Sequence, residues 1–227
     1  LMDEESGTVI FQKDADSPME PASMAKLMTV AVVFNELRAG RVQWSDEFFV
    51  SEHAWRTGGA SSGGSTMFAD LNSKISVENL VRSVIIQSGN DAAIVLAEGI
   101  AGSETSFAAM MNELAAQIGL DGSHFTNPTG LPDPQMHVTA RDLANLGRYL
   151  IHDFPEYYHY FSETEMEWNG IRQPNRNSLV ELGIGVDGLK TGHTEAAGYG
   201  SVISTAEGGR RLIGVVHGLT SMRERTE

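Results

Sequence analysis

A serine and a lysine three residues apart are the first candidates for covalent chemistry in this sequence. Ser23 and Lys26 lie in the segment PASMAKLMTV, at the start of an apolar run with helical spacing. Side chains three residues apart share one helix face, so the hydroxyl and the amine can come within hydrogen-bond distance. A serine hydroxyl becomes a nucleophile when a neighbouring base removes its proton. We therefore predict Ser23 as a nucleophile and Lys26 as its base, rather than a helix cap beside a solvated charge.

This chemistry requires an unusual environment for the lysine. An unperturbed lysine has a pKa of about 10.4 and is well under about 1% neutral at pH 7. Burial in the apolar helix and a second cation, Lys190, would both lower the pKa of Lys26, and a shift of about 3 units corresponds to roughly 4 kcal/mol. Ser23, in the first helical turn, would also lie beside unpaired backbone N–H groups that can hold an oxyanion.

A second short motif, Ser88-Gly89-Asn90, interrupts a helical region. Ser88 could pass a proton to a leaving nitrogen, and Asn90 could hold both Lys26 and a substrate carbonyl. Alone, the tripeptide is typical of a turn between helices. The tripeptide indicates a catalytic function only through its position in the sequence relative to the other two motifs.

The third motif, Lys190-Thr191-Gly192, reads as the end of a strand. An extended substrate could pair with this strand, with one N–H near Gly192 or His193 directed at its carbonyl oxygen. The three motifs together, in this order, arise by chance in roughly one sequence in a thousand. The set predicts acyl transfer through a serine ester.

The elements that must position these residues follow from hydrophobic spacing. Helical patterns occupy the middle of the chain, over residues 22–39, 77–87, 91–101, 104–118 and 139–152. Strand patterns lie near the two ends, at residues 8–12 and in hairpins through Asn169-Gly170 and Gly208-Gly209. The Gly- and Ser-rich residues 55–68 predict a flexible loop. We expect an α/β fold in which a sheet from both chain ends packs against a central helical cluster.

Composition excludes several classes of function. The net charge of −14 argues against nucleic acid as a partner, because phosphate neutralisation needs clustered cations. The chain has no cysteine, which excludes disulfides and thiolate chemistry, and its seven histidines are scattered without metal-ligand spacing. We predict no metal and no cofactor. No apolar stretch reaches the roughly 18 residues of a membrane span.

The three motifs form the Ser-x-x-Lys, Ser-x-Asn, Lys-Thr-Gly set of penicillin-binding proteins and serine β-lactamases. The chain most resembles the low-molecular-weight penicillin-binding proteins of the D-alanyl-D-alanine carboxypeptidase type. Further segments carry the resemblance: KDAD, IIQSGNDAAIVLAE, FTNPTGL, TARDLA, NGIRQPNRN and VDGLKTGHTEAAGYG. The resemblance implies a DD-peptidase-like fold with an antiparallel five-stranded sheet.

The resemblance also implies roles for individual residues. Catalytic roles fall to Ser23, Lys26, Ser88, Asn90 and Lys190, and substrate-binding roles to Thr191, Gly192, His193, Arg225 and Arg176. In this scheme Ser23 is acylated, and the backbone N–H groups of Ser23 and His193 form the oxyanion hole. Lys190 and Thr191 meet the terminal carboxylate, supported by the two arginines.

At the level of the whole protein, the resemblance implies removal of the terminal D-alanine from a peptidoglycan pentapeptide, with β-lactam antibiotics as covalent inhibitors. We expect residues 1–227 to form one catalytic domain with a helical subregion at about 70–160. A C-terminal second domain and a membrane anchor are expected outside this chain. The expected location is periplasmic, with inner-membrane association in the full-length protein.

Three alternatives stay open. A class A β-lactamase would use a Glu-x-x-x-Asn element for deacylation, and Glu165 and Asn169 have this spacing. They fall in a predicted hairpin, which argues against that role. A D,D-endopeptidase would share the fold and the acyl-enzyme, whereas a non-catalytic wall-peptide binding module would not need the intact motifs.

Overall fold

The computed structural model describes residues 1–227, and its centre is one helix that is buried on every side. In α1 (Lys26–Arg38) only Asn35 and Arg38 are not buried. A helix that is apolar all round must lie inside a protein rather than on its surface. The helices around it are α2 (Glu52–Thr57), α3 (Val77–Ile86), α4 (Asn90–Ala101), α5 (Glu104–Gln117) and α6 (Ala140–Asp153). A last short helix, α7, spans Met222–Thr226.

The predicted central helices are confirmed within two residues at most ends, because local side chains determine where they begin. Ser76 caps α3 by accepting a hydrogen bond from the Asn79 N–H, and Thr139 caps α6 through the Asp142 N–H. Asp142 does not bond back to its cap. Its carboxylate instead accepts hydrogen bonds from Gly122 N and Ser123 Oγ, which ties the preceding loop to α6.

The main sheet is antiparallel and contains β1 (Met2–Asp3), β6 (Val186–Thr194), β7 (Gly198–Glu207) and β8 (Arg210–Leu219). The order of these strands across the sheet is β1-β8-β7-β6. The sheet is built from both chain ends, as predicted, but it has four strands rather than five. Residues 8–12 form only a single bridge, between Val9 and Met2. The two-residue β1 is too short to give this β-rich segment a partner along its length.

Two further antiparallel pairings are short. β2 (Glu47–Phe49) pairs with β3 (Lys74–Ser76), and β4 (Glu165–Trp168) pairs with β5 (Ile171–Pro174). The predicted turn at Asn169-Gly170 is confirmed, and both residues have positive φ, as a type I′ turn requires. The prediction of an irregular loop from residue 55 is wrong at its start, because α2 extends to Thr57 after the Ser51 cap.

The helices and the sheet share one apolar core of 48 residues. α6 packs on β7 and β8, and β6 packs on the turn Ala22–Ala25 that precedes α1. We call this turn the serine turn. No helix combines the length and apolarity needed to cross a membrane. The packing brings the start of α1, the α3–α4 junction and the free edge of β6 to one place.

Candidate active site

Ser23 lies in the serine turn, a 3₁₀ turn and not the first turn of α1 as predicted. Pro21 precedes the turn and accepts a hydrogen bond from Met24 N at 3.1 Å. In a 3₁₀ turn the side chains at i and i+3 eclipse each other, which directs Ser23 toward Lys26. Ala22 has φ of 47°, a left-handed conformation that is uncommon for a residue with a Cβ. The turn therefore holds the serine in a position that an ordinary helix start would not give.

Lys26 is fully buried, and its amine is surrounded by oxygen atoms. Nζ lies 3.1 Å from Ser23 Oγ and donates to Asn90 Oδ1 at 2.7 Å and Thr129 O at 2.6 Å. Burial lowers the pKa of Lys26 to about 7, with an opposing effect from Asp91. At neutral pH a large share of this lysine is therefore uncharged and able to accept a proton from the serine.

Ser88 and Asn90 occupy the junction between α3 and α4. Ser88 is buried with φ of 62°, and its hydroxyl makes no hydrogen bond within the protein. Asn90 is the first residue of α4, and its N–H donates to Ser65 O at 2.8 Å. This bond holds the Gly- and Ser-rich loop against the helix that presents Asn90 to Lys26.

Lys190 lies on β6 with 2% of its surface exposed, and Nζ donates to Thr191 O at 2.9 Å. Burial lowers its pKa well below the ordinary value, and the charges of Lys26, Arg176 and Arg225 lower it further. The repulsion between the two lysines thus contributes to the lowered pKa of Lys190. Burial is the largest cause of the lowered pKa of Lys26.

A cleft of about 640 Å³ joins these groups to the predicted binding residues. Its walls include Ser23, Ser88, Thr191, Gly192, His193, Arg176 and Arg225. Asn90 lines the adjoining polar part of the cleft, which also contains Ser23. Eight of the ten residues singled out from the sequence thus line the cleft or its polar part. Of the other two, Lys26 contacts Ser23 and Asn90, and the buried Lys190 precedes Thr191 on β6. The half-buried Arg225 lies over the Tyr199 ring at 5.7 Å, and Arg176 Nε donates to Gln87 Oε1 at 2.8 Å.

Sequence reasoning missed several residues of this site. The Thr129 carbonyl is a direct partner of Lys26, and the Asn127 side chain orients it by accepting hydrogen bonds from Thr129 N and Gly130 N. The turn in NPTG was recognisable, but a backbone carbonyl carries no signal of its target in the residue types. Gln87 and Tyr199, which support the two arginines, were also missed.

The residues that suggested a β-lactamase lie elsewhere. Glu165 forms an ion pair with Arg172 across the β4–β5 hairpin, and Asn169 donates to Asp70 at 2.9 Å. Neither Glu165 nor Asn169 lines the cleft. The Glu-x-x-x-Asn spacing here reflects a hairpin and its turn.

Comparison with known proteins agrees with this geometry. A family model described as D-alanyl-D-alanine carboxypeptidase matches residues 1–221. The D-alanyl-D-alanine carboxypeptidase DacC of Escherichia coli K12 is 46% identical over 227 residues, which cover 99% of this chain and 57% of the relative. Among solved structures, penicillin-binding protein 5 of Haemophilus influenzae superposes with a TM-score of 0.95 at 42% identity, covering 99% of this chain and 65% of that one.

A more distant structure carries a ligand. Penicillin-binding protein D2 of Listeria monocytogenes, in its cefotaxime-bound form, has a TM-score of 0.88 at 27% identity, covering 99% of this chain and 90% of that one. The present chain thus spans a little over half the length of its E. coli relative and most of the Listeria structure. The family match extends over nearly every residue described above, and the chain belongs to the D-alanyl-D-alanine carboxypeptidase family.

Proposed function

We propose that residues 1–227 form the catalytic domain of a serine-type D-Ala-D-Ala carboxypeptidase. The substrate is a peptidoglycan pentapeptide, and the product is the peptide shortened by its terminal D-alanine. One observation carries this proposal: a fully buried amine with a pKa of about 7 lies 3.1 Å from a serine hydroxyl at the edge of an open cleft. This arrangement supports a serine nucleophile with a lysine base.

In the acylation step, neutral Lys26 takes the proton of Ser23 as Oγ attacks the carbonyl between the two D-alanines. A carbon–oxygen bond forms, and the negative charge on the former carbonyl oxygen is stabilised by the backbone N–H groups of Ser23 and His193. The proton then passes to the leaving nitrogen, with Ser88 as the relay. The carbon–nitrogen bond breaks, D-alanine leaves, and water later hydrolyses the ester.

Substrate binding uses the free edge of the sheet. β6 is the outer strand, with β7 on one side and the cleft on the other, so an extended peptide can pair along Gly192 and His193. Lys190 and Thr191 lie next to the terminal carboxylate in this arrangement. Arg225 and Arg176 add positive charge at the same end of the cleft. The local excess of cations suits an anionic ligand even though the whole chain is strongly acidic.

A β-lactam ring presents a reactive carbonyl and a carboxylate in the same relation, and we propose that β-lactam antibiotics acylate Ser23. The cefotaxime-bound Listeria structure supports this. The family of the present chain and its proposed cell-wall substrate support a periplasmic location for this protein. Attachment of the full-length protein to the inner membrane through a C-terminal anchor stays a prediction.

Two measurements test the function. Fluorescent penicillin should label the wild-type protein and fail to label Ser23→Ala; labelling of the variant would reject Ser23 as the nucleophile. Mass spectrometry of muramyl pentapeptide after incubation should then show loss of one alanine. Cleavage of cross-linked peptide dimers alone would favour a D,D-endopeptidase. Rapid repeated turnover of penicillin would favour a β-lactamase, and the absence of any reaction would favour a wall-peptide binding module.

A further inference from the structure

Asp91 is a charged side chain with no exposed surface, and no step above uses it. It follows Asn90 in the first turn of α4, where the helix dipole favours negative charge. Removing a carboxylate from water is costly unless hydrogen bonds replace its hydration. A buried acid at this place therefore needs a structural or chemical reason.

Both oxygens of Asp91 face donors. Oδ1 accepts from Met67 N and Ala92 N, each at 2.9 Å. Oδ2 accepts from Thr66 Oγ1 at 2.6 Å and from Ala69 N at 3.1 Å. Three of these four donors belong to residues 66–69, so the carboxylate fastens one segment of loop onto the start of α4.

The loop residue just before this segment contacts the residue before Asp91. Ser65 O accepts the Asn90 N–H at 2.8 Å, one residue before the segment that Asp91 holds. The Asn90 side chain in turn accepts from Lys26 Nζ at 2.7 Å. A chain of contacts therefore runs from the Asp91 carboxylate through the loop backbone to the amide that contacts the lysine.

Asp91 also acts on Lys26 through its charge. Its negative charge opposes the dehydration of the Lys26 ammonium and raises the pKa of the lysine, so that burial lowers it only to about 7. The other charged group facing this amine is Lys190 from β6, and beyond it lie Arg176 and Arg225. Asp91 thus supplies the negative charge that acts on the pKa of Lys26.

We propose that Asp91 is a positioning residue for acyl transfer: it locks residues 65–69 against α4, fixes Asn90 on Lys26 and supplies the anion that balances the lysine. The inference rests on the proposed function and adds a residue to it. Asp91 does not touch substrate in this scheme. Its effect on the reaction passes through Asn90 and Lys26.

Two variants separate the contact from the charge. Asp91→Asn keeps the size of the side chain, removes the charge and turns one oxygen into a donor that faces other donors. We expect its second-order rate constant for acylation by fluorescent penicillin to fall by about tenfold. The acid limb of its pH profile, which reports the free enzyme's base, should move to lower pH, because the anion that raises the pKa of Lys26 is gone. Thr66→Val keeps the charge, so we expect a fall of about threefold with the acid limb unmoved.

Asp142→Asn is the matched control. Asp142 is also a buried carboxylate in the first turn of a helix, and it also fastens a loop, through Gly122 and Ser123. It is not among the groups that act on Lys26. We expect this variant to lower the melting temperature while leaving the acylation rate and the acid limb as in the wild type.

The outcomes distinguish the two proposals. If wild-type protein is not labelled at Ser23, the proposed function fails before Asp91 is tested. If it is labelled, an Asp91→Asn variant with the wild-type rate or an unmoved acid limb overturns the role of Asp91, as does an equal shift in Asp142→Asn. Should Asp91→Asn not fold, Thr66→Val decides: slowed acylation with an unchanged melting temperature supports the role, and wild-type acylation overturns it.

Discussion

Acylation of Ser23 should be lost as the pH falls through 7, and the size of the loss follows from the burial of Lys26. Burial moves the pKa of this amine from its ordinary 10.5 to about 7. At pH 7 about half of the lysine is then neutral, against about 0.03% for an unperturbed side chain, a gain of more than a thousandfold in available base. The dehydration that gives this gain costs about 5 kcal/mol in the charged form.

The expected profile is steep on one side only. Below pH 7 the rate constant for acylation should fall about tenfold per pH unit, and above about pH 8 it should be flat until another group titrates. The assay is the pH dependence of labelling by fluorescent penicillin under pseudo-first-order conditions. Folding at each pH is checked by circular dichroism.

Lys26→Arg tests the same reasoning without changing the pH. A guanidinium does not lose its proton in proteins, so the variant should acylate at least about a thousandfold more slowly. Lys74→Arg, at an exposed lysine, is the control and should behave as wild type. An acid limb above about pH 9, or a Lys26→Arg variant with more than about a tenth of the wild-type rate, would refute a neutral lysine as the base.

Three further predictions concern stability and binding. Because the folded pKa of Lys26 lies below its unfolded value, the unfolded state binds more protons between about pH 7 and 10.5. The unfolding free energy, measured by urea titration, should therefore rise with pH across this window. The Lys26→Met variant should reduce the slope of this rise by about 1.4 kcal/mol per pH unit. Gly130→Ala should lower the unfolding free energy by more than about 3 kcal/mol, since the added Cβ would lie 1.9 Å from a carbonyl oxygen of the serine turn. Gly170→Ala, at a glycine with a similar φ and no atom within 4 Å of the added Cβ, should lower it by about 1 kcal/mol. Equal losses of stability in urea titrations would contradict this reasoning. Gln87→Leu frees the Arg176 guanidinium and should raise KM for the pentapeptide by about threefold to tenfold with kcat little changed, and an unchanged KM would remove Gln87 from the binding site.

The parts of this molecule that could be predicted from sequence are those that depend on neighbours along the chain. α1 and α3 to α6 follow from apolar spacing, and Ser76 and Thr139 begin their helices with their own hydroxyls. The β4–β5 turn follows from the ease with which Asn and Gly adopt positive φ. The residues of the three motifs could be selected because their side chains are the reactive groups.

The remainder depends on partners that are distant in sequence. Residues 8–12 have high strand propensity, but a strand also needs a partner of matching length, and β1 has two residues. Thr129 contributes its backbone carbonyl, which every residue possesses. Asp91 resembles an ordinary acid at a helix start, and only the fold shows that a loop more than twenty residues earlier supplies the donors that permit its burial.

The complete burial of Lys26 also separates the proposed base from the ionic composition of the solvent. Dissolved salt screens charges through water, and no water-accessible surface of this amine remains for counterions to approach. The Arg225 side chain is only half-buried, so its attraction for an anionic ligand weakens as salt is added. Rising ionic strength should therefore affect the capture of the substrate, while proton transfer within the site continues unchanged.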